Sequence, residues 1–318
     1  VKILLTGAAG FIGSHLAEAL LASGLRVVGL DNFNDYYDPA LKRRNLTGAL
    51  QNPAFTLKEG DIRDGALLEA LFSRENFEAV IHLAARAGVR PSLSNPLLYE
   101  QVNVEGTIRL LEAARLHGCR KFLFASSSSV YGENPRMPWS ESDPDLRPIS
   151  QYGATKLIGE HFCRVFHQAY GFPVTAYRFF TVYGPRQRPD MAIHKFTRLI
   201  WEGTPIPFYG DGSSLRDYTY IDDIVAGLLA GLEADIPFDV FNLGGGHSIT
   251  LAQLVENLGR RLDRPVLLDR QPAQTGDVPA TLADISRAGR LLGYAPVTSL
   301  ETGLDRFIEY FLAERGRG

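Results

Sequence analysis

Short apolar runs alternate with longer stretches of helical periodicity through the first half of the chain. Lys2 to Thr6, Arg26 to Leu30, Phe55 to Glu59, Ala79 to Leu83, Lys121 to Ser126 and Val174 to Phe179 read as strands buried on both faces. Between them, Gly13 to Ser23, Gly65 to Arg74, Tyr99 to His117 and Tyr152 to Tyr170 carry helical spacing enriched in Ala, Leu and Glu. This βαβ rhythm predicts an α/β fold, a doubly wound parallel sheet of the Rossmann kind, with its ligand at the carboxyl ends of the strands.

The rhythm changes after about Phe180. Pro185, Pro189, Pro205 and Pro207 interrupt any long helix or central strand, and Tyr209-Gly210-Asp211-Gly212 is a turn signal. A second, smaller and mostly helical domain is expected to start here. Tyr220 to Leu232 reads as a helix returning to the first domain, Val240 to Leu243 as a buried strand, Val266 to Leu268 as a short strand and Ser299 to Arg315 as the last helix. The expected division is therefore 1–178 plus about 217–243 for cofactor binding, and about 179–216 plus 244–318 for substrate.

Composition narrows the class. The 318 residues carry 33 Lys and Arg against 36 Asp and Glu, a net charge of -3, so a bound phosphate needs a local site and nucleic acid is a poor partner. No apolar run approaches the length of a membrane span. Cys119 and Cys163 show no ligand or disulfide spacing, so no metal is expected, and the apolar strand at the start lacks the layout of a signal peptide. A soluble, cytoplasmic protein is the expectation.

The first strand runs into Gly7-Ala8-Ala9-Gly10-Phe11-Ile12-Gly13. Glycines at such spacing between strand and helix let backbone N–H groups and a helix N-terminus meet a diphosphate. Asp31 ends the second strand, where a carboxylate accepts both hydroxyls of an adenosine ribose and repels a 2′-phosphate, pointing to NAD rather than NADP. Asn32 follows directly. Asp61 and Ile62 after the third strand, and Leu83, Ala84 and Ala85 after the fourth, lie where the adenine pocket and the diphosphate and ribose would be lined.

Tyr152 and Lys156 share one helix face, and a nearby ammonium favours the phenolate over the usual pKa of about 10. Lys156 can also reach a nicotinamide ribose. Ser126 to Ser129 end a predicted central strand and supply hydroxyls at the same sheet edge.

Taken together, Gly7-xx-Gly10-xx-Gly13, Asp31, Ser127 and Tyr152-xxx-Lys156 resemble the extended short-chain dehydrogenase/reductases, specifically the nucleotide-sugar epimerases and dehydratases. The resemblance covers essentially the whole chain. It implies that Tyr152 is the catalytic base, Ser127 positions the substrate hydroxyl, and Lys156 tunes Tyr152 and holds the ribose. It also implies a tightly held NAD and a homodimer formed through the helices containing Tyr99 to His117 and Tyr152 to Tyr170.

Within that family the neighbours of Ser127 discriminate. Dehydratases carry an Asp-Glu pair and UDP-glucuronate decarboxylases a Glu where this chain has Ser128 and Ser129, which leaves C4 epimerisation. Arg216-Asp217-Tyr218 resembles a signature whose Arg holds the diphosphate of a UDP-sugar, and Asp277 matches an acid that binds the uridine ribose. Gln274 departs from the Arg of UDP-glucose 4-epimerases, as Thr181 departs from their Asn. Thr181-Val-Tyr-Gly-Pro185 followed by Arg188-Pro-Asp-Met191 resembles UDP-glucuronate 4-epimerases, as do Asp31 to Asp38 and Ala87 to Arg90. A C6 carboxylate would then be met by Arg188, Thr181 and Ser129, with Arg86 and Arg90 as the second candidates for its cation. UDP-glucose/UDP-galactose 4-epimerase is the alternative enzyme, and a non-catalytic NAD-sensing module the alternative class.

Overall fold

The computed structural model describes residues 1–272 and 278–316. Seven strands form one sheet: β1 (Lys2–Thr6), β2 (Arg26–Asp31), β3 (Phe55–Glu59), β4 (Ala79–His82), β5 (Lys121–Ser127), β6 (Val174–Phe179) and β7 (Phe238–Leu243). Their order is β7-β6-β5-β4-β1-β2-β3, and every pairing is parallel. The expected parallel sheet is thus present, with strand ends moved by at most two residues. The chain leaves β1 toward β2 and β3, then returns to β4 beside β1 and continues outward the other way. The crevice between β1 and β4 is the switch point where such sheets bind ligands.

Alternation along β1 explains the two cores. Ile3 and Leu5 point into one apolar cluster with Leu16 and Leu20 of the helix Phe11–Ala22. Leu4 points into the other with Leu111, Phe124 and Phe166. Interior strands β1, β4, β5 and β6 are almost wholly buried, whereas β3, expected to be buried on both faces, exposes three of its five residues because it lies at the sheet edge.

The helix Gln151–Tyr170 lies across β5 because Gly159 leaves no room for a Cβ, which would sit 2.4 Å from the Phe124 ring. Ser150 caps its start by accepting the Gly153 N–H at 3.1 Å, and Gly171 ends it at φ 65°. The stretch read as one helix from Tyr99 to His117 is continuous but contains a π-helical turn at Gln101–Glu105 before Gly106–Leu116.

Beyond β6 the chain forms the helices Ala192–Glu202, Leu251–Leu262, Ser286–Leu292 and Leu300–Arg315 with three small two-stranded ladders. The short strand expected at Val266 to Leu268 occupies Leu268–Gln271. The helix Ile221–Glu233 packs on Phe11–Ala22, so the first core runs without a break from the sheet to Ile193, Leu254 and Phe307. No described helix is long and apolar enough to cross a membrane.

Candidate active site

A cavity of about 360 Å³ opens at the carboxyl ends of the strands. Its lining brings together Gly7, Gly10, Phe11, Ile12, Gly13, Asp31, Asn32, Asp61, Ile62, Leu83, Ala84 and Ala85 with Ser127, Ser128, Ser129, Tyr152, Lys156, Thr181 and Arg188. Residues far apart in sequence meet here because β1, β4, β5 and β6 end at one edge.

At one end the backbone is shaped for an anion. Gly7 adopts φ 70°, and its N–H donates to the Leu30 carbonyl at 2.8 Å. A Cβ on Gly13 would lie 2.1 Å from the Gly7 carbonyl oxygen, so only glycine lets the helix Phe11–Ala22 start this close to the loop. No side chain caps that helix and no acid sits in its first turn, which leaves its positive end facing the cavity. Asp31 is buried and accepts the N–H groups of Ala9 (3.0 Å) and Phe33 (2.9 Å). Burial raises its pKa against the pull of those bonds and of Lys42. These features fit the diphosphate and a ribose of a dinucleotide. Asp61 is held well below the usual carboxylate range, first by the side chain of Arg63 (2.9 and 2.8 Å), and Asn32 adds a bond at 2.9 Å.

The reacting end lies over β5 and β6. Ser127 accepts the Ser129 N–H at 3.1 Å, and its hydroxyl approaches that of Ser129 at 3.2 Å. Burial raises the Tyr152 pKa, while a hydrogen bond with Ser127 and the charge of Arg188 oppose the rise. The Lys156 ammonium has a partner that helix spacing did not predict. The Lys156 ammonium donates to the Ala125 carbonyl at 2.7 Å and stands over the Phe124 ring, and burial pushes its pKa down to about 8. Helix spacing put both side chains on one face, but it could not reveal that a strand carbonyl would hold the ammonium. Beneath them Glu160 takes a bidentate pair from Arg178 (2.9 and 2.7 Å) and a bond from the Ser126 hydroxyl, fixing helix to strand.

Arg188 pairs with Asp190 through Nε and Nη2, both at 3.0 Å, and stands 5.2 Å from the Tyr36 ring centre. Burial works against its charge, yet the Asp190 pairing outweighs burial and its pKa rises.

Two expected substrate contacts lie outside this lining. Arg90 is exposed and sits over Tyr209, and Arg216 donates to the Leu215 carbonyl at 2.8 Å. Asp277 and Gln274 fall outside the described residues. In the Arg216-Asp217-Tyr218 motif, buried Asp217 gathers the N–H groups of Gly245 (2.7 Å), Gly246 (3.1 Å) and Ala283 (3.1 Å), tying together the loops beside β7. Lining residues missed in the sequence include Lys42, which is buried near Asp31 and donates to the Asn34 carbonyl at 2.9 Å. Nothing in its polar neighbourhood Leu41-Lys42-Arg43-Arg44 marks one lysine as buried. Tyr36, Tyr37 and Met191 also line the cavity without having been assigned a role.

The sheet and cavity define a Rossmann-type α/β protein of the short-chain dehydrogenase/reductase class. Residues 4–307 match the family model described as GDP-mannose 4,6 dehydratase. UDP-glucuronate 4-epimerase 1 of Arabidopsis thaliana is 44% identical over 99% of this chain and 78% of its own length. UDP-glucuronate 4-epimerase of Thermodesulfobacterium geofontis is 42% identical over 96% and 95%. The solved UDP-glucuronic acid 4-epimerase from Bacillus cereus, in complex with UDP-glucuronic acid and NAD, superposes with a TM-score of 0.91 at 40% identity, covering 99% of this chain and all of that one. The chain belongs to the GDP-mannose 4,6 dehydratase family of extended short-chain dehydrogenase/reductases, and its relatives there include UDP-glucuronate 4-epimerases.

Proposed function

We propose that the chain is an NAD-dependent UDP-glucuronate 4-epimerase, forming UDP-galacturonate through a 4-keto sugar. The observation that carries the reading is Arg188, a guanidinium lining the same cavity as Tyr152, Ser129 and Thr181. A fixed cation with flanking hydroxyls suits a sugar carboxylate and has no counterpart requirement for a neutral hexose. Among the described lining residues the only acids are Asp31 and Asp61, both at the cofactor end. Among the described lining residues no acid accompanies Tyr152 to drive dehydration, and the nearby Asp190 is engaged by Arg188, although the family model carries a dehydratase description.

NAD, when bound, supplies the acceptor and donor of the C4 hydride. The glycine loop and the uncapped helix end would hold its diphosphate, Asp31 its adenosine ribose, and Lys156 its second ribose. Tyr152 takes the proton from the sugar O4 while Ser127 orients that hydroxyl. The 4-keto sugar then turns over, the opposite face is reduced, and Tyr152 returns the proton. Positioned proton transfer of this kind contributes about 10² to 10⁴-fold. Residues 1–178 with about 217–243 form the cofactor half, and about 179–216 with 244–318 the half that holds the nucleotide sugar through Arg216 and Asp277. Ser128, which lines the cavity with Ser129, is assigned to the sugar as well.

The proposal includes a homodimer. Ile158 and Val165 leave apolar side chains exposed on the helix Gln151–Tyr170, and Leu93 and Leu97 do so on short helices packed against it. Two free, buried cysteines suit a reducing compartment, and the proposal sets the reaction in the cytoplasm.

Incubating the purified protein separately with UDP-glucuronate, UDP-glucose and UDP-N-acetylglucosamine, then identifying the products, tests the reading. UDP-galacturonate from the first is expected. Preference for UDP-glucose would overturn the substrate, a UDP-pentose would overturn the reaction, and no turnover with any of the three would favour a sensing role.

A further inference from the structure

Arg188 does not stand alone in the cavity wall. Asp190 accepts from its Nε and Nη2 along one edge of the guanidinium, at 3.0 Å each. Tyr36 lies against the group with its ring centre 5.2 Å away, and its hydroxyl donates to the same Asp190 carboxylate at 3.4 Å. Three segments supply this arrangement: the loop after β2, the loop after β6 and, behind the tyrosine, the loop after β4. A Cβ on Gly88 would fall 2.6 Å from the Tyr36 hydroxyl, so that loop fits tightly against the ring tip. Arg86 also approaches the Tyr36 ring, at 5.9 Å from its centre, so two guanidinium groups neighbour this tyrosine.

The donor geometry of arginine gives this a consequence. The guanidinium has five N–H donors in a plane, and a carboxylate occupies two on one edge. With the Nε–Nη2 edge engaged by Asp190 and Tyr36 beside the group, the donors at the Nη1-bearing end are the ones left for an incoming anion. A long side chain otherwise free to rotate is thereby held before substrate arrives, which reduces the ordering cost of binding.

We propose that Asp190 and Tyr36 are positioning residues that aim the Nη1-bearing end of Arg188 at the substrate carboxylate, and so set selectivity for a uronate. The inference rests on the UDP-glucuronate reading above and adds two residues to it. Neither residue touches the reacting C4 and O4. Their removal therefore acts on recognition of the carboxylate and leaves the nucleotide end alone.

The test compares Asp190→Ala, Tyr36→Ala and Tyr36→Phe with the wild-type holoenzyme, measuring kcat and KM for UDP-glucuronate and the inhibition constant of UDP, which lacks the sugar. Asp190→Ala and Tyr36→Ala should each raise KM about tenfold or more, with the UDP constant within about twofold of wild type. Tyr36→Phe keeps the ring and should restore most of the wild-type KM. KM values within about twofold of wild type in both alanine variants would overturn the positioning role, as would a parallel rise in the UDP constant, which marks general damage to the cavity. If the wild-type protein does not epimerise UDP-glucuronate, the substrate reading fails and the inference falls with it. Wild-type turnover with unaffected variants removes the inference alone.

Discussion

Acid should destabilise this chain through one imidazole beside the cofactor crevice. His82 ends β4 and is 1% exposed. Its Nδ1 lies 2.7 Å from the Thr6 hydroxyl and its Nε2 3.0 Å from the Thr107 hydroxyl. Thr107 donates to the Asn103 carbonyl at 2.6 Å, so it accepts from Nε2–H, and Nδ1 accepts from Thr6. Thr6 in turn accepts the Ala84 N–H at 3.2 Å, linking the ring to the loop that packs against Gly7. The neutral ring is fully satisfied, and a second proton would have to enter at Nδ1 and reverse the Thr6 bond. Burial, and then the charge of Lys156, push the pKa from 6.5 down to about 3. A depressed folded-state value means that the unfolded chain takes up a proton below 6.5 while the folded chain does not. Stability is therefore complete above 6.5 and is lost as pH falls toward 3. At pH 4, two and a half pH units below the unfolded value, the loss is about 3 kcal/mol. Urea unfolding followed by circular dichroism at pH 7 and pH 4 measures it, with His82→Gln as the variant that cannot titrate. Wild type should lose about 3 kcal/mol more than the variant over this interval; equal losses, within about 0.5 kcal/mol, would refute the argument.

Three other outcomes follow from the geometry. Tyr152→Phe should lower turnover about 10² to 10⁴-fold while the purified protein still carries NAD, measured by product formation and by cofactor released on denaturation. Gly13→Ala places a methyl group where the Gly7 carbonyl oxygen stands, 2.1 Å away, and should weaken NAD binding at least about tenfold in a fluorescence titration. Ile158→Glu with Val165→Glu charges the exposed apolar face of Gln151–Tyr170 and should convert the proposed dimer into a monomer in sedimentation velocity, with little change in melting temperature; a wild-type protein that sediments as a monomer would refute the dimer itself.

Much of the sheet domain was legible because its signals are local. Strands buried on both faces need continuous apolar residues, and the helices between them need a periodic stripe, so both patterns survive in a linear reading. The glycine loop was equally plain, since the backbone itself imposes the small residue. Legibility failed where a role depends on a distant partner. Lys156 shares the face of Tyr152 as spacing requires, yet its ammonium meets Ala125, and no pattern in the helix encodes a carbonyl from β5. Lys42 is buried among residues that look like a solvated run. Arg90, expected as a site cation, is exposed and stands over the Tyr209 ring, a neighbour more than a hundred residues away that no local pattern announces.

Sequence by itself determined the parallel order of strand and helix, the position of the glycine loop, the acid at the end of β2 and the shared helix face of Tyr152 and Lys156. Each is a matter of neighbouring residues obeying backbone sterics and periodicity, whereas the roles of Ser127, Tyr152 and Lys156 rest on resemblance to a family. Only the tertiary structure decided that Asp190 and Tyr36 share Arg188, that Asp217 gathers the loops beside β7, and that His82 stays neutral between two threonines. These depend on which strand ends converge at one edge of the sheet, and on how much water the packing there excludes. Hydrogen-bond reach and burial are properties of that convergence, and a linear order of residues does not contain them.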